Sequence, residues 1–129
     1  MSYTLDRTIT GTTFDEVVDR TKAALTKHGF GVLTEIDVKA TMKKKIDVDV
    51  DDYLILGACN PRMALEAMKI EPKVGAMLPC NVIIRSISGG DVMVSAIDPV
   101  ASMQAIDNDT LKTLAVKVRS MLADVVADA

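Results

Sequence analysis

Apolar and polar positions along this chain alternate with two periods, and each period marks a different kind of element. Tyr3, Leu5 and Ile9 alternate with Thr4, Asp6 and Thr8, which predicts a half-buried strand. Arg7 interrupts its apolar side and points to a place at a sheet edge. After Gly11-Thr12-Thr13 the period changes. Thr13 and Glu16 fit a capping box, in which each side chain satisfies a free backbone N–H at a helix start. Phe14, Val17, Val18, Thr21, Ala24, Leu25 and His28 then recur at helical spacing, and Gly29 stands where a left-handed cap ends the helix. Phe30, Val32, Thr34, Ile36 and Val38 alternate against Gly31, Leu33, Glu35, Asp37 and Lys39. That pattern predicts a strand with one face inward and the other wet or against a partner.

Ala40 to Lys45 reads as a polar connection or a single helical turn. The aspartates between Asp47 and Asp52 read as a solvent-facing strand edge that discourages aggregation. They lead into Tyr53-Leu54-Ile55-Leu56-Gly57-Ala58, whose apolar run predicts a central strand covered on both faces. Asn60 is placed to cap a helix with Pro61 at its first position and Ala64, Leu65 and Met68 as its buried stripe, and Pro72 forbids its continuation. Gly75 to Pro79 is a loop before the strand Val82–Ile87, Ser88-Gly89-Gly90-Asp91 a hairpin turn, and Val92–Ile97 the returning strand. Asp98-Pro99 opens a loop or single turn running to Ile106. A last amphipathic helix follows, its stripe running from Leu111 through Leu114, Val118 and Leu122 to Val126. This order predicts an α+β fold: one mainly antiparallel sheet with helices mostly on one face.

Composition narrows what such a fold can do. The 129 residues are expected to form a single domain, 1–129, large enough to bury roughly two-thirds of its unfolded surface without staples or metal. Only 3% of residues are aromatic, so the core rests on Val, Ile, Leu, Ala and the eight methionines. A net charge of −3 offers no broad basic field for nucleic acid. Nothing in Met1 to Arg7 has the form of a signal peptide, and no apolar run approaches a bilayer span. The expected location is cytoplasmic, without a membrane, where two cysteines are free thiols rather than a disulfide.

Those two cysteines stand in matching phrases, Gly57-Ala58-Cys59-Asn60-Pro61 and Leu78-Pro79-Cys80-Asn81-Val82. The bland reading is that each thiol packs as a small apolar side chain while Asn60 caps a helix and Asn81 fixes a loop. The functional reading makes Cys59, Asn60, Cys80 and Asn81 a candidate ligand or thiol site. A helix start beside Cys59 favours a thiolate. Cys59 and Cys80 with Met77, and Met63 nearby in sequence, offer sulfur donors for a soft ion such as Cu(I). Neither Cys-x-x-Cys nor a zinc quartet is present.

Other chemistry finds less support. His28 is alone and reads as a structural contact, and no serine sits in a nucleophile elbow. The run from Asp47 fails as a calcium loop because position six is Asp52 and position twelve is Ala58. No motif calls for a cofactor. The expectation is a binding or interaction module rather than an enzyme, with Leu33, Tyr53 and Ile55 free to meet a partner or a small apolar ligand. A thiol-dependent protein engaged in soft-metal binding, redox exchange or sulfur handling is the alternative.

The phrases Leu56-Gly57-Ala58-Cys59-Asn60-Pro61, Leu78-Pro79-Cys80-Asn81-Val82 and Ile97-Asp98-Pro99 resemble the prokaryotic domain-of-unknown-function family 302 (DUF302). The opening strand, His28-Gly29-Phe30 and the final helix fit as well. The resemblance implies a two-layer α+β fold grouped with TATA-binding-protein-like sheets and often seen as a homodimer. It implies no activity, substrate or cofactor, and there are no catalytic residues to carry over.

Overall fold

A computed structural model describes residues 2–129; Met1, included in the sequence reading of the domain and of its first residues, lies outside them. The elements in order are β1 (Thr4–Ile9), α1 (Phe14–Lys27), β2 (Gly31–Asp37), α2 (Val38–Ile46), β3 (Tyr53–Cys59), α3 (Pro61–Ile70), β4 (Cys80–Ser86), β5 (Val92–Ile97), α4 (Pro99–Ser102) and α5 (Asp109–Asp128). Short 3-10 segments cover Pro72–Met77 and Ser88–Gly90. The five strands form one sheet in the order β1-β5-β4-β3-β2, antiparallel at every junction. The architecture is α+β, with α1 and α5 on one face.

Side-chain alternation decides which face the helices cover. Leu54, Leu56 and Ala58 of β3 pair with Ile84, Val82 and Cys80 of β4, and all six are buried. With Val94 and Ala96 of β5 they meet Val17 and Leu25 of α1 and Leu122 and Val125 of α5 in the main core. A smaller cluster of Ala67, Val74, Met103, Leu111 and Leu114 joins α3 and α4 to the start of α5. Leu78 packs against both clusters and ties them together. The opposite sheet face carries Tyr53, Ile55, Ile83 and Met93, all half-buried. β3 is thus central in pairing but covered on one face only, contrary to the expectation from its apolar run. Its second face stays half-buried at Tyr53 and Ile55, beside their cross-strand neighbours.

The start and end of α1 follow the sequence closely. Thr13 Oγ1 accepts the Glu16 N–H at 3.2 Å, while the Glu16 carboxylate accepts the Thr12 hydroxyl rather than reaching back to the Thr13 N–H. At the other end Gly29 has φ +87°, Gly29 N–H donates to Thr26 O at 3.2 Å, and Phe30 N–H donates to Leu25 O at 2.8 Å. This is a Schellman ending, and buried Phe30 and Leu25 supply its apolar contact.

β2 departs from the simple alternation. Val32 pairs with Ala58, but Thr34 pairs with Gly57, so Leu33 is an extra residue in the ladder. Beyond it every side chain changes face: Thr34 and Ile36 lie with Gly57 and Ile55, and Glu35 turns to the helix side, where it bonds Lys22 of α1 at 3.1 Å. Residues Ala40 to Lys45 belong to a nine-residue helix, longer than the turn expected. Asp37 Oδ1 starts it by accepting Ala40 N–H at 2.9 Å, and Asp47 ends it in the left-handed region at φ 54°. Asp47 is therefore a cap and the aspartates after it are coil, not a strand edge.

Arg7 breaks the pattern of β1 for a reason. β1 is an edge strand, and Arg7 Nη1 donates to Ala127 O at 2.7 Å and Ala129 O at 2.8 Å. Arg20 of α1 adds a bond to Ala129 O at 2.9 Å. Two cations thus satisfy the free carbonyls at the end of α5 and complement its negative pole. Replacing Arg7 by Met keeps the apolar stem and removes the charge; the expected cost is about 1–2 kcal/mol, read by urea unfolding. An unchanged midpoint would show that the clamp contributes nothing.

Candidate functional site

Two chain reversals bring the cysteine phrases together. β3 ends at Cys59, and Asn60 leaves the strand in extended geometry to cap α3. Asn60 Oδ1 accepts the Met63 N–H at 3.2 Å, and Pro61 fills the first helical position. From α3 the chain passes through the turn Pro72–Met77 and a cis Leu78–Pro79 bond into β4 at Cys80. In the β3–β4 ladder Cys80 lies opposite Ala58, one residue from Cys59. Substituting Asn60 by Ala removes the cap, and a loss of about 1 kcal/mol is expected in thermal unfolding. A wild-type midpoint would mean that Pro61 alone starts α3.

Both cysteines border one small cavity of about 40 Å³ between the sheet end, α3, α4 and α5. Its wall also includes Phe30, Asn60, Met63, Leu78, Met103 and Leu111, so apart from Asn60 it is apolar or sulfur-bearing. Such a space holds a few waters at most, at roughly 10–15 Å³ each. Cys80 is 7% exposed, while Cys59 is half-buried. Burial, reinforced by charge repulsion from Cys59, pushes the Cys80 thiol up from 9.0 to about 11. Cys80 is therefore a protonated thiol at neutral pH, not a standing nucleophile.

The remaining candidates distribute differently. Asn60 joins the cavity wall, whereas Asn81 is exposed and pairs with Gly57 on the opposite sheet face. Met77 is 40% exposed and does not border the cavity. Met63 and Met103 do. Met63 was visible as a neighbour of Cys59 in sequence, but Met103 gave no signal, because only the return of α4 over the sheet end brings it there. Leu33 projects from the bulge at 65% exposure, while Tyr53 and Ile55 are half-buried on the face without helices. His28 Nε2 lies 2.6 Å from Asp128 Oδ2, joining the end of α1 to the end of α5. The bonds from His28 and then Lys27 hold the Asp128 carboxyl below its ordinary value. Among the described residues there is no group of three or more His, Cys, Asp or Glu side chains placed to hold a metal ion.

With this arrangement in view, the model of the domain of unknown function DUF302 matches residues 5–129. The chain belongs to the DUF302 family. Its fold is that of an uncharacterised conserved DUF302 protein from Bacillus stearothermophilus, whose crystal structure matches with a TM-score of 0.92 at 23% identity. The match covers 99% of this chain and 98% of that one. No curated protein matches the chain. Among the described residues of this DUF302 protein, no helix is long and apolar enough to cross a membrane.

Proposed function

We propose that this DUF302 protein is a non-enzymatic binding module that holds a small thiol-seeking species in the cavity between Cys59 and Cys80. One observation carries the reading: the only two cysteines of the chain, from separate phrases, border the same small cavity. Its volume of about 40 Å³ favours an ion or a group of a few atoms over an organic ligand. The test is treatment of the native protein with stoichiometric diamide, which takes up the electrons and protons of two thiols as they join. An intramolecular Cys59–Cys80 disulfide, identified by peptide mass spectrometry, is the expected product. Two thiols that neither pair nor alkylate until the protein is denatured would overturn the reading.

A second reading concerns assembly. All seven residues of β2 are exposed, no residue of α2 is buried, and Ile46, Val48 and Val50 are exposed beside them. An edge strand of this kind, with apolar residues around it, suits a second copy of the chain in a homodimer. Sedimentation at micromolar concentration is expected to give a dimer that Leu33→Lys converts to monomer. A wild-type monomer would remove this reading without touching the first.

A further inference from the structure

We infer that the cavity is a site for one soft monovalent ion of the Cu(I) class, held by the thiolates of Cys59 and Cys80 with a thioether of Met63 or Met103 completing the set. The inference rests on the reading of the cavity as a binding site and adds the identity of the occupant. It starts from the donors. Two cysteines and two methionines border the space, and among the described residues no acidic residue or histidine does. Thiolate and thioether together favour Cu(I), whereas zinc asks for four nitrogen, oxygen or thiolate ligands, which this wall lacks.

Size and position agree with the donor chemistry. A space of about 40 Å³ admits a bare ion but not one with its hydration shell, and an ion that prefers two or three sulfurs needs no water. The donors stand on ordered elements. The cap from Asn60 fixes the Met63 backbone, and Met103, 6% exposed, is packed at the end of α4. Binding displaces both thiol protons, so the occupied site carries one net negative charge. The start of α3, directly after Cys59, places its positive pole beside that charge. No electron is transferred, since the ion enters and stays monovalent.

The experiment offers the reduced, full-length protein Cu(I) as its bicinchoninate complex without oxygen. One Cu(I) per chain is expected to leave the chelator, with proton release and a new sulfur-to-copper absorption in the near ultraviolet. Cys59→Ser and Cys80→Ser, checked for folding by circular dichroism, are each expected to weaken binding beyond the roughly 10–100-fold that loss of an outer partner costs. The double variant Met63→Leu/Met103→Leu keeps the thiols and the apolar volume. It is expected to weaken Cu(I) binding by about 10-fold while leaving the diamide disulfide unchanged. Failure to draw Cu(I) from the chelator, by protein that forms the disulfide, would overturn the ion and leave the binding reading in place. Failure of both would remove both. Zn(II) bound as tightly at the same stoichiometry would also overturn the inference.

Discussion

Gly57→Ala is expected to destabilise the protein by about 2–3 kcal/mol, although alanine is the smallest possible addition. A Cβ at this position would lie 2.1 Å from Thr34 Oγ1 and 2.8 Å from Pro79 Cγ. Neither neighbour can withdraw cheaply. Thr34 is β-branched, so two of its three χ1 rotamers set a heavy atom at this spot, and the Pro79 ring has little freedom. The conflict is one of space, because Gly57 does not have positive φ. Removing Thr34 Oγ1 should therefore relieve part of it: Gly57→Ala in a Thr34→Ala background is expected to recover about 1 kcal/mol. Strict additivity of the two substitutions in denaturant unfolding would show that the Thr34 contact is not the cause. The site should respond as well. Gly57 stands two residues before Cys59 and touches the proline directly before Cys80, so the added methyl pushes at both phrases. Slower disulfide formation with diamide is expected in the alanine variant.

Gly57 also shows what sequence reasoning reached and what it missed. The glycine belongs to the phrase that carries the family resemblance, yet its purpose lies in β2, which reads in sequence as unbroken alternation. The bulge at Leu33 turns Thr34 onto the Gly57 face, and nothing local in Gly31–Asp37 announces it. A register shift is a property of two strands, whereas alternation is a property of one. Similarly, α2 has no buried residue, and Val38, Met42 and Ile46 make only a thin apolar row among lysines; its ends are set by Asp37 and Asp47. Elements that face the main core were legible, whereas the buried stripe expected of α3 at Ala64, Leu65 and Met68 is wrong: Leu65 and Met68 are exposed and Ala67 is the buried residue. The stripes of α1 and α5, the cap at Asn60 and the edge position of β1 at Arg7 all follow from burial or from satisfying helix ends. For the site, the cysteine phrases and Met63 were in view, but Phe30 and Met103 reach the cavity only through the closed tertiary fold.

The Cys80 thiol should give the protein a distinct sensitivity to alkali. In the unfolded chain a thiol ionises near 9.0, whereas in the fold burial and the nearby Cys59 keep the Cys80 proton until about pH 11. Below the lower value both states hold the proton and Cys80 adds no pH dependence. Above it the unfolded chain gains a thiolate that the fold resists, so stability falls as pH climbs toward the upper value. At 1.36 kcal/mol per unit, the loss reaches about 2 kcal/mol by pH 11. Lysines and tyrosines titrate over the same range, so the comparison must be with Cys80→Ala, which keeps them. The stability difference between wild type and Cys80→Ala, measured in urea, is expected to hold steady below pH 9 and then to shift against the wild type by that amount. Curves that stay parallel to pH 11 would mean that Cys80 ionises as freely in the fold as outside it. Native alkylation supplies the matching rate: Cys80 should react with iodoacetamide far more slowly at pH 8 than after denaturation. If it reacts equally fast, neither burial nor Cys59 governs its proton, and the cavity is open to water rather than enclosed.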